Sequence, residues 1–430
     1  MVKVAQIITA ILATILSASC SRPTPSQAHV TPAQDAHADD RSSIADPPEA
    51  AGVGRDLHHI DRAPRVAAAR MRRRAAQAAA TAAGILPDPM LDVQYMRMPE
   101  DPGYGAGGMV ALQQNFPRWG ELDGMRAMAA ADLAMADADL AMVRGEIISR
   151  QAMYHAQARG AQAKASAYSE NARRAETLSE LIAKSAAATG GTRLNEVLAL
   201  HSRSQAMEVS AREAHLAAID ALGRGRALLG LPVTAVVPDP GSPAVTQIDL
   251  TLNPRLRLAQ AASLQAQAQL AIAASLSRPE FGVRAGWQRE GRDAFDEYRV
   301  GLSIAIPVHP SAWRGPEEAA RHRHDAAQLD AAGVNAEADE LLARVGRAQE
   351  QAQRARTVAE DTKKRLSLEL ETVASGVATG EQGSIAMVFE RLDMLANSEV
   401  MAVMAETESD MAAAELWMLM PNSDGLTERP

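Results

Sequence analysis

An internal duplication with one fixed offset limits what this chain can fold into. Ala63-Pro64-Arg65-Val66 is matched by Asn253-Pro254-Arg255-Leu256, and LPDPMLDV at 86–93 by LSRPEFGV at 276–283. NFP at 115–117 is matched by AIP at 305–307, and Ala188-Thr189-Gly190 by Ala378-Thr379-Gly380. Each landmark recurs after 190 residues. Solenoid units repeat every 20–50 residues or so, far below this period. The pattern reads as two copies of a half-molecule, so the fold must house the same elements twice, in the same order.

Each half predicts a short helix (62–83; 254–276), a Pro/Gly-bounded region (85–120; 279–315) and a very long Ala-rich helix (120–187; 315–376). A Gly turn (188–193; 378–384) then leads to a returning helix (194–229; 384–419). Abundant Ala, Leu, Glu, Arg and Gln favour helices of this length. At 1.5 Å per residue the long helix runs about 100 Å. The returning helix is shorter, and the first helix can stack on its end, giving two antiparallel columns per half. Met387, Met394 and Met401 recur every seven residues, and Met404, Met411 and Met418 continue three residues displaced. That spacing reads as a heptad seam packed on another helix. A soft-metal relay is the functional alternative.

The two Pro/Gly-bounded regions hold nine of the chain's 13 aromatics: Tyr95, Tyr104, Phe116, Trp119, Phe281, Trp287, Phe295, Tyr298 and Trp313. They also alternate. Val110, Leu112 and Phe116 share one face of a strand, with Ala111, Gln113 and Asn115 on the other. Leu91, Val93 and Tyr95 oppose Asp92 and Gln94; Phe281, Val283, Ala285 and Trp287 oppose Gly282, Arg284 and Gly286. Val300, Leu302, Ile304 and Ile306 oppose Gly301, Ser303 and Ala305. Strands with one apolar face, one small or polar face and aromatics near their ends suit a membrane β-barrel. PEDPGYGAGG (99–108) and REGRDAFDEY (289–298) read as the hairpin loops. Two soluble hairpins packed on a helical bundle are the competing reading. Four strands cannot close a barrel alone, and open edges do not sit in lipid. A membrane reading therefore requires an oligomer, and three copies would supply 12 strands.

The N-terminus carries Lys3, an apolar run from Val4 to Leu16, and small residues at 17–19, the pattern of a secretory signal peptide. Cys20 is the single cysteine, so no internal disulfide forms. Two readings of it stand: a chance cysteine beside the cleavage site, or the acylated first residue of a lipoprotein. In LSASC the leucine lies one position further from the cysteine than the usual lipobox places it. Residues 21–54, rich in Pro, Ser, Ala, Asp and Gly, read as a disordered tether. The expected organisation is a signal peptide at 1–19, the tether at 20–54, repeats at 55–245 and 246–421, and a tail at 422–430.

In this order and spacing, GILPDPML (84–91), LQQNFPRWGEL (112–122), RPEFGV (278–283), VGLSIAIPV (300–308) and the Gly turns with NEVLAL (195–200) resemble the TolC-type outer-membrane efflux channels. FPRWGEL and the methionines, including Met90, Met96 and Met98, are similar to the heavy-metal-efflux branch. The resemblance implies a mainly α fold with a membrane β-barrel part, built from duplicated halves of two strands plus long antiparallel helices. It implies a homotrimer with a 12-stranded barrel in the outer membrane and an α-helical barrel in the periplasm. It also implies a periplasmic adaptor and an inner-membrane pump of RND type as partners, outer-membrane lipid around the barrel and, by likeness to lipoproteins, Cys20 as a second anchor. Adaptor contact would fall at the helix-tip turns, with Gly190, Gly191, Gly380 and Gly383. Glu196 and Glu381 are the candidate gate acids, against a plain reading as solvated helix-end charges.

Other classes fit less well. The formal net charge of −9 argues against nucleic acid as a partner. No nucleophile elbow, phosphate loop or acid/base constellation appears in the sequence, so neither an enzyme nor a cofactor is expected. His322 and His324 stand two apart on a helix and point to different sides, which makes them a poor chelating pair. A lipid-anchored periplasmic adaptor or coiled-coil scaffold is the rival, but an adaptor should carry one helical hairpin inside β domains rather than two in tandem.

Overall fold

The structure is a computed structural model and describes residues 59–100, 103–189, 194–241, 243, 248–289, 296–378 and 385–420. All of them lie in one compact unit, Arg55–Pro430. The elements run α1 (Pro64–Ala82), β1 (Met90–Glu100), β2 (Gly103–Phe116), α2 (Glu121–Thr189), α3 (Leu194–Leu229), α4 (Pro254–Ser275), β3 (Glu280–Arg289), β4 (Glu297–Ala305), α5 (Ser311–Ala378) and α6 (Ile385–Glu415).

The duplication survives in the element boundaries. α1 and α4 begin at Pro64 and Pro254, β1 and β3 at Met90 and Glu280, and α2 and α5 at Glu121 and Ser311; each pair is 190 residues apart. Proline suits the first helical position, where its missing N–H would have no partner anyway. Asn253 also caps α4, its side chain accepting from the Arg255 N–H at 3.0 Å.

α2 is the spine. Its 69 residues run about 100 Å. α3 returns along it, with Ser204 Oγ donating to the Ala172 carbonyl at 3.0 Å. α1 covers the rest through Arg65–Glu146 at 2.9 Å and Arg72–Asp139 at 2.8 Å. The expected end-to-end stacking is present. Gly230 ends α3 at φ 65°, a conformation that favours glycine, and the Pro64 ring at the start of α1 lies beside it. In the second half Arg255, at the start of α4, reaches Met418 Sδ beyond the end of α6 at 3.9 Å. α4 and α6 also pack on α2, where Gln265 donates to Asp132 at 2.6 Å and Asn171 to Glu399 at 2.8 Å.

The cores are narrow stripes. Ala175, Ile182, Leu200, Leu366, Val388, Leu392 and Leu395 bring four helices together towards the tips. α5 is held by Ala338, Val345, Ala352, Ala359 and Leu366, each seven residues after the last.

Three expectations need correction. α5 starts at Ser311 rather than 315 and carries Pro316 inside it, forfeiting one helical hydrogen bond there. The strands run through much of the expected first loop: β1 reaches Glu100 and β2 starts at Gly103, because pairing with β1 supplies bonds to a stretch whose composition reads as loop. The methionine row packs within this chain only at its end, where half-buried Met411 and Met418 meet Gln157 and Arg255. Met387, Met394, Met401 and Met404 are exposed, while Val388, Leu392, Leu395 and Ala396 of α6 are buried.

Candidate functional site: a sheet with one apolar face and two open edges

The four strands form one antiparallel sheet in the order β1-β2-β3-β4. Register joins the apolar rows. Leu91 sits opposite Leu112 and Val93 opposite Val110. Val110 then faces Trp287, Leu112 faces Ala285 and Phe116 faces Phe281. Phe281 faces Ile304, Val283 faces Leu302 and Ala285 faces Val300. The two halves thus share one continuous apolar face, in the phase expected from alternation. That face is bare: Val300 is 76% exposed, Tyr95 76% and Leu302 68%. An apolar patch of this extent, contributed by every strand, marks contact with lipid or protein.

The opposite face is polar and crowded. Arg284 Nη2 donates to Asp92 Oδ2 at 3.1 Å, reaching across β2 over the buried Ala111. Gln113 donates to Asn115 at 2.9 Å on the same side. A Cβ added at Gly282 would come within 2.5 Å of Ser303 Oγ and 3.0 Å of Asn115 Oδ1, and one at Gly286 within 3.1 Å of Ala111 Cβ. At Gly282 and Gly286, on the inner strand β3, this face leaves no room for a side chain. Among the described residues, β1 and β4 each pair on one side only. Strands of 9 to 14 residues suffice for a tilted crossing, which takes about 9–11. No described helix is long and apolar enough to cross a membrane.

Of the residues singled out from sequence, Gly190, Gly191, Gly380, Gly383, Glu381 and Cys20 lie outside the described residues. Glu196 stands half-buried in the first turn of α3, where the helix dipole favours a carboxylate. Met90 is exposed on the polar side of β1, opposite Gln113. His324 lies 3.0 Å from Gln328 on α5, and His322 is exposed. Sequence reading missed a charged hub towards the tips. Glu399, only 12% exposed, receives Asn171 Nδ2 at 2.8 Å, Lys363 Nζ at 3.2 Å and Arg174 Nη1 at 3.4 Å. It ties α2, α5 and α6 together. Nothing in the local sequence flags Glu399, because its partners come from 36 to 228 residues away.

Solved structures share this fold. The outer membrane protein VceC from Vibrio cholerae matches with a TM-score of 0.72 at 19% identity, over 85% of this chain and 95% of VceC. The outer-membrane channel OprN matches at 0.71 and 19% identity, over 84% and 88%. CusC, described for its folding and transmembrane channel formation, matches at 0.67 and 15% identity, over 85% and 91%. The chain has the fold of the TolC-type outer-membrane channels. No protein-family model matches the sequence, and no curated protein does.

Proposed function

We propose that this chain is the outer-membrane channel of a tripartite efflux system. The observation that carries the reading is the sheet: a bare apolar face, a crowded polar face and two open edges. In water those edges and that face are liabilities. In lipid they are resolved when three copies close 12 strands with the apolar face outward and Asp92, Gln113, Asn115 and Arg284 lining the lumen. The helices then form the periplasmic conduit. The channel is passive and carries out no chemistry.

The helix-tip turns at Gly190, Gly191, Gly380 and Gly383 meet a periplasmic adaptor, which links the channel to an inner-membrane pump of RND type, and Glu196 and Glu381 stand nearest the tips as gate acids. The signal peptide exports the chain, and acylated Cys20 adds a second anchor. The cargo is heavy-metal ions, such as copper and silver or cobalt, zinc and cadmium. The methionine-rich sequence and the FPRWGEL stretch support this over drugs or other small toxicants. A lipid-anchored adaptor or scaffold is disfavoured because it would have no use for a bare apolar sheet face.

Deleting the gene tests the cargo. Loss of tolerance to copper, silver, zinc or cobalt supports metal; unchanged metal tolerance with new sensitivity to organic toxicants assigns the channel to drugs.

A further inference from the structure

The two halves meet inside the chain, and the 190-residue offset carries that joint onto the edges the chain leaves bare. At the inner joint β2 pairs with β3. Advancing β2 by 190 residues gives β4, and setting β3 back by 190 gives β1, the two edge strands. Leu112 opposite Ala285 becomes Leu302 opposite Tyr95, and Gln114 opposite Val283 becomes Ile304 opposite Val93. Gln113 opposite Arg284 becomes Ser303 opposite Gln94. The carried register sets bare apolar residues together on one face and polar ones together on the other. A slip of one residue sets Leu302 against Gln94 and turns one strand's faces over.

The helices beside the sheet repeat the relation. α4 packs on α2 along Gln265, Ala268 and Ile272: Gln265 donates to Asp132 at 2.6 Å, and a Cβ added at Gly124 would meet Ile272 Cγ1 at 2.6 Å. Ala268 is buried, and so is Ala261 at the start of the same stripe. The counterparts on α1 are Met71, Ala75, Ala78 and Ala82, and all four are exposed. This stripe has no cover within the chain. A second copy supplies one, because its α5 is the counterpart of the α2 on which α4 packs.

We infer that successive copies join edge to edge in the register that joins the two halves of one chain, with Leu302 of one copy opposite Tyr95 of the next and His322 beside Ala75. The ring then has one kind of joint throughout, and like joints share evenly the stagger that barrel closure requires. The inference rests on the three-copy reading above, which leaves the register open.

The test is disulfide trapping in outer membranes, using the full-length Cys20→Ala chain, which has no other cysteine. Leu302→Cys with Tyr95→Cys should oxidise to linked species up to a covalent trimer that survives heating and falls apart in reductant. Opposed strand positions lie within disulfide range, whereas positions two residues off sit at about 7–8 Å, beyond it. Leu302→Cys with Val93→Cys or with Arg97→Cys should therefore link about fivefold less. His322→Cys with Ala75→Cys should link as well, and Ala336→Cys with Ala75→Cys, about 20 Å further along α5, should not. Single-cysteine variants should stay unlinked, and unheated gels check that each variant assembles. Trimers in which Leu302→Cys links best at position 93 or 97, or in which neither expected pair links, overturn the register and leave the channel reading standing. If the strand variant fails to assemble, the helix pair decides. A wild type that runs unheated as a monomer removes the three-copy reading and this inference with it.

Discussion

Arg203 Nε on α3 donates to Asp393 Oδ1 on α6 at 2.8 Å, and the two residues are 190 apart, so they occupy the same position in the two halves. The two returning helices are therefore level with each other at this point. Both side chains are partly exposed, so the pair contributes only about 0.5–1 kcal/mol. Arg203→Glu and Asp393→Arg should each lower the denaturation midpoint slightly, and the double swap should recover it. Additive losses in that cycle would show that the contact does not couple the halves.

Adjacent residues on β4 test the proposed lipid and lumen faces. Val300→Arg puts a charge on the bare apolar face and should cost about 2–4 kcal/mol in bilayer insertion. Gly301→Arg points to the polar side, where an added Cβ meets nothing within 4 Å, and should insert almost as well as wild type. Insertion yields into vesicles distinguish the two; equal yields would refute the assignment of faces.

Glu399 holds three donors from two helices while largely shielded from water. Glu399→Ala takes from Arg174 and Lys363 the more buried of their two carboxylate partners, leaving them Glu170, and should destabilise the folded chain by about 1–3 kcal/mol. Glu399→Gln should lose less, since it keeps an acceptor for Asn171. Urea midpoints measured at constant m-value check the order.

His155 lies half-buried on α2 beside the Pro238 carbonyl, and its pKa falls below the ordinary 6.5, chiefly by burial, with Arg159 adding to the fall and Asp239 opposing it. The unfolded chain therefore takes up this proton first as pH falls. The stability that neutral His155 contributes is complete above pH 6.5 and is lost between 6.5 and its lower folded value. His155→Gln should flatten the pH dependence of thermal unfolding in that window; an unchanged slope would remove His155 as its source.

Much of this fold is legible in the sequence because its periods are simple. The bounds of α3 follow from the Gly turn before Leu194 and from Gly230 after Leu229, and the strand faces follow from strict alternation. What stays hidden depends on pairing between distant segments. Gly105 to Gly108 read as loop until β1 pairs with them. Asp92 and Arg284 are each assigned to the polar face by alternation, but their contact needs the β2–β3 register that joins the halves. The 231–241 connection gives no periodic signal, yet Trp417 Nε1 donates to the Gly241 carbonyl at 2.9 Å and fastens it to the end of the second half. The bare methionines kept heptad spacing, and spacing alone cannot say whether a partner helix is present.

The central claim, that three copies close the sheet in a membrane, is tested most directly with Cys20→Ala. This variant removes any acyl anchor and leaves the strands intact. Outer membranes carrying it are extracted with alkaline carbonate and run unheated in SDS. The account predicts a carbonate-resistant protein migrating as a trimer that heat converts to a 45.6 kDa chain, slightly smaller once the signal peptide is removed. A soluble monomer released by carbonate would contradict it.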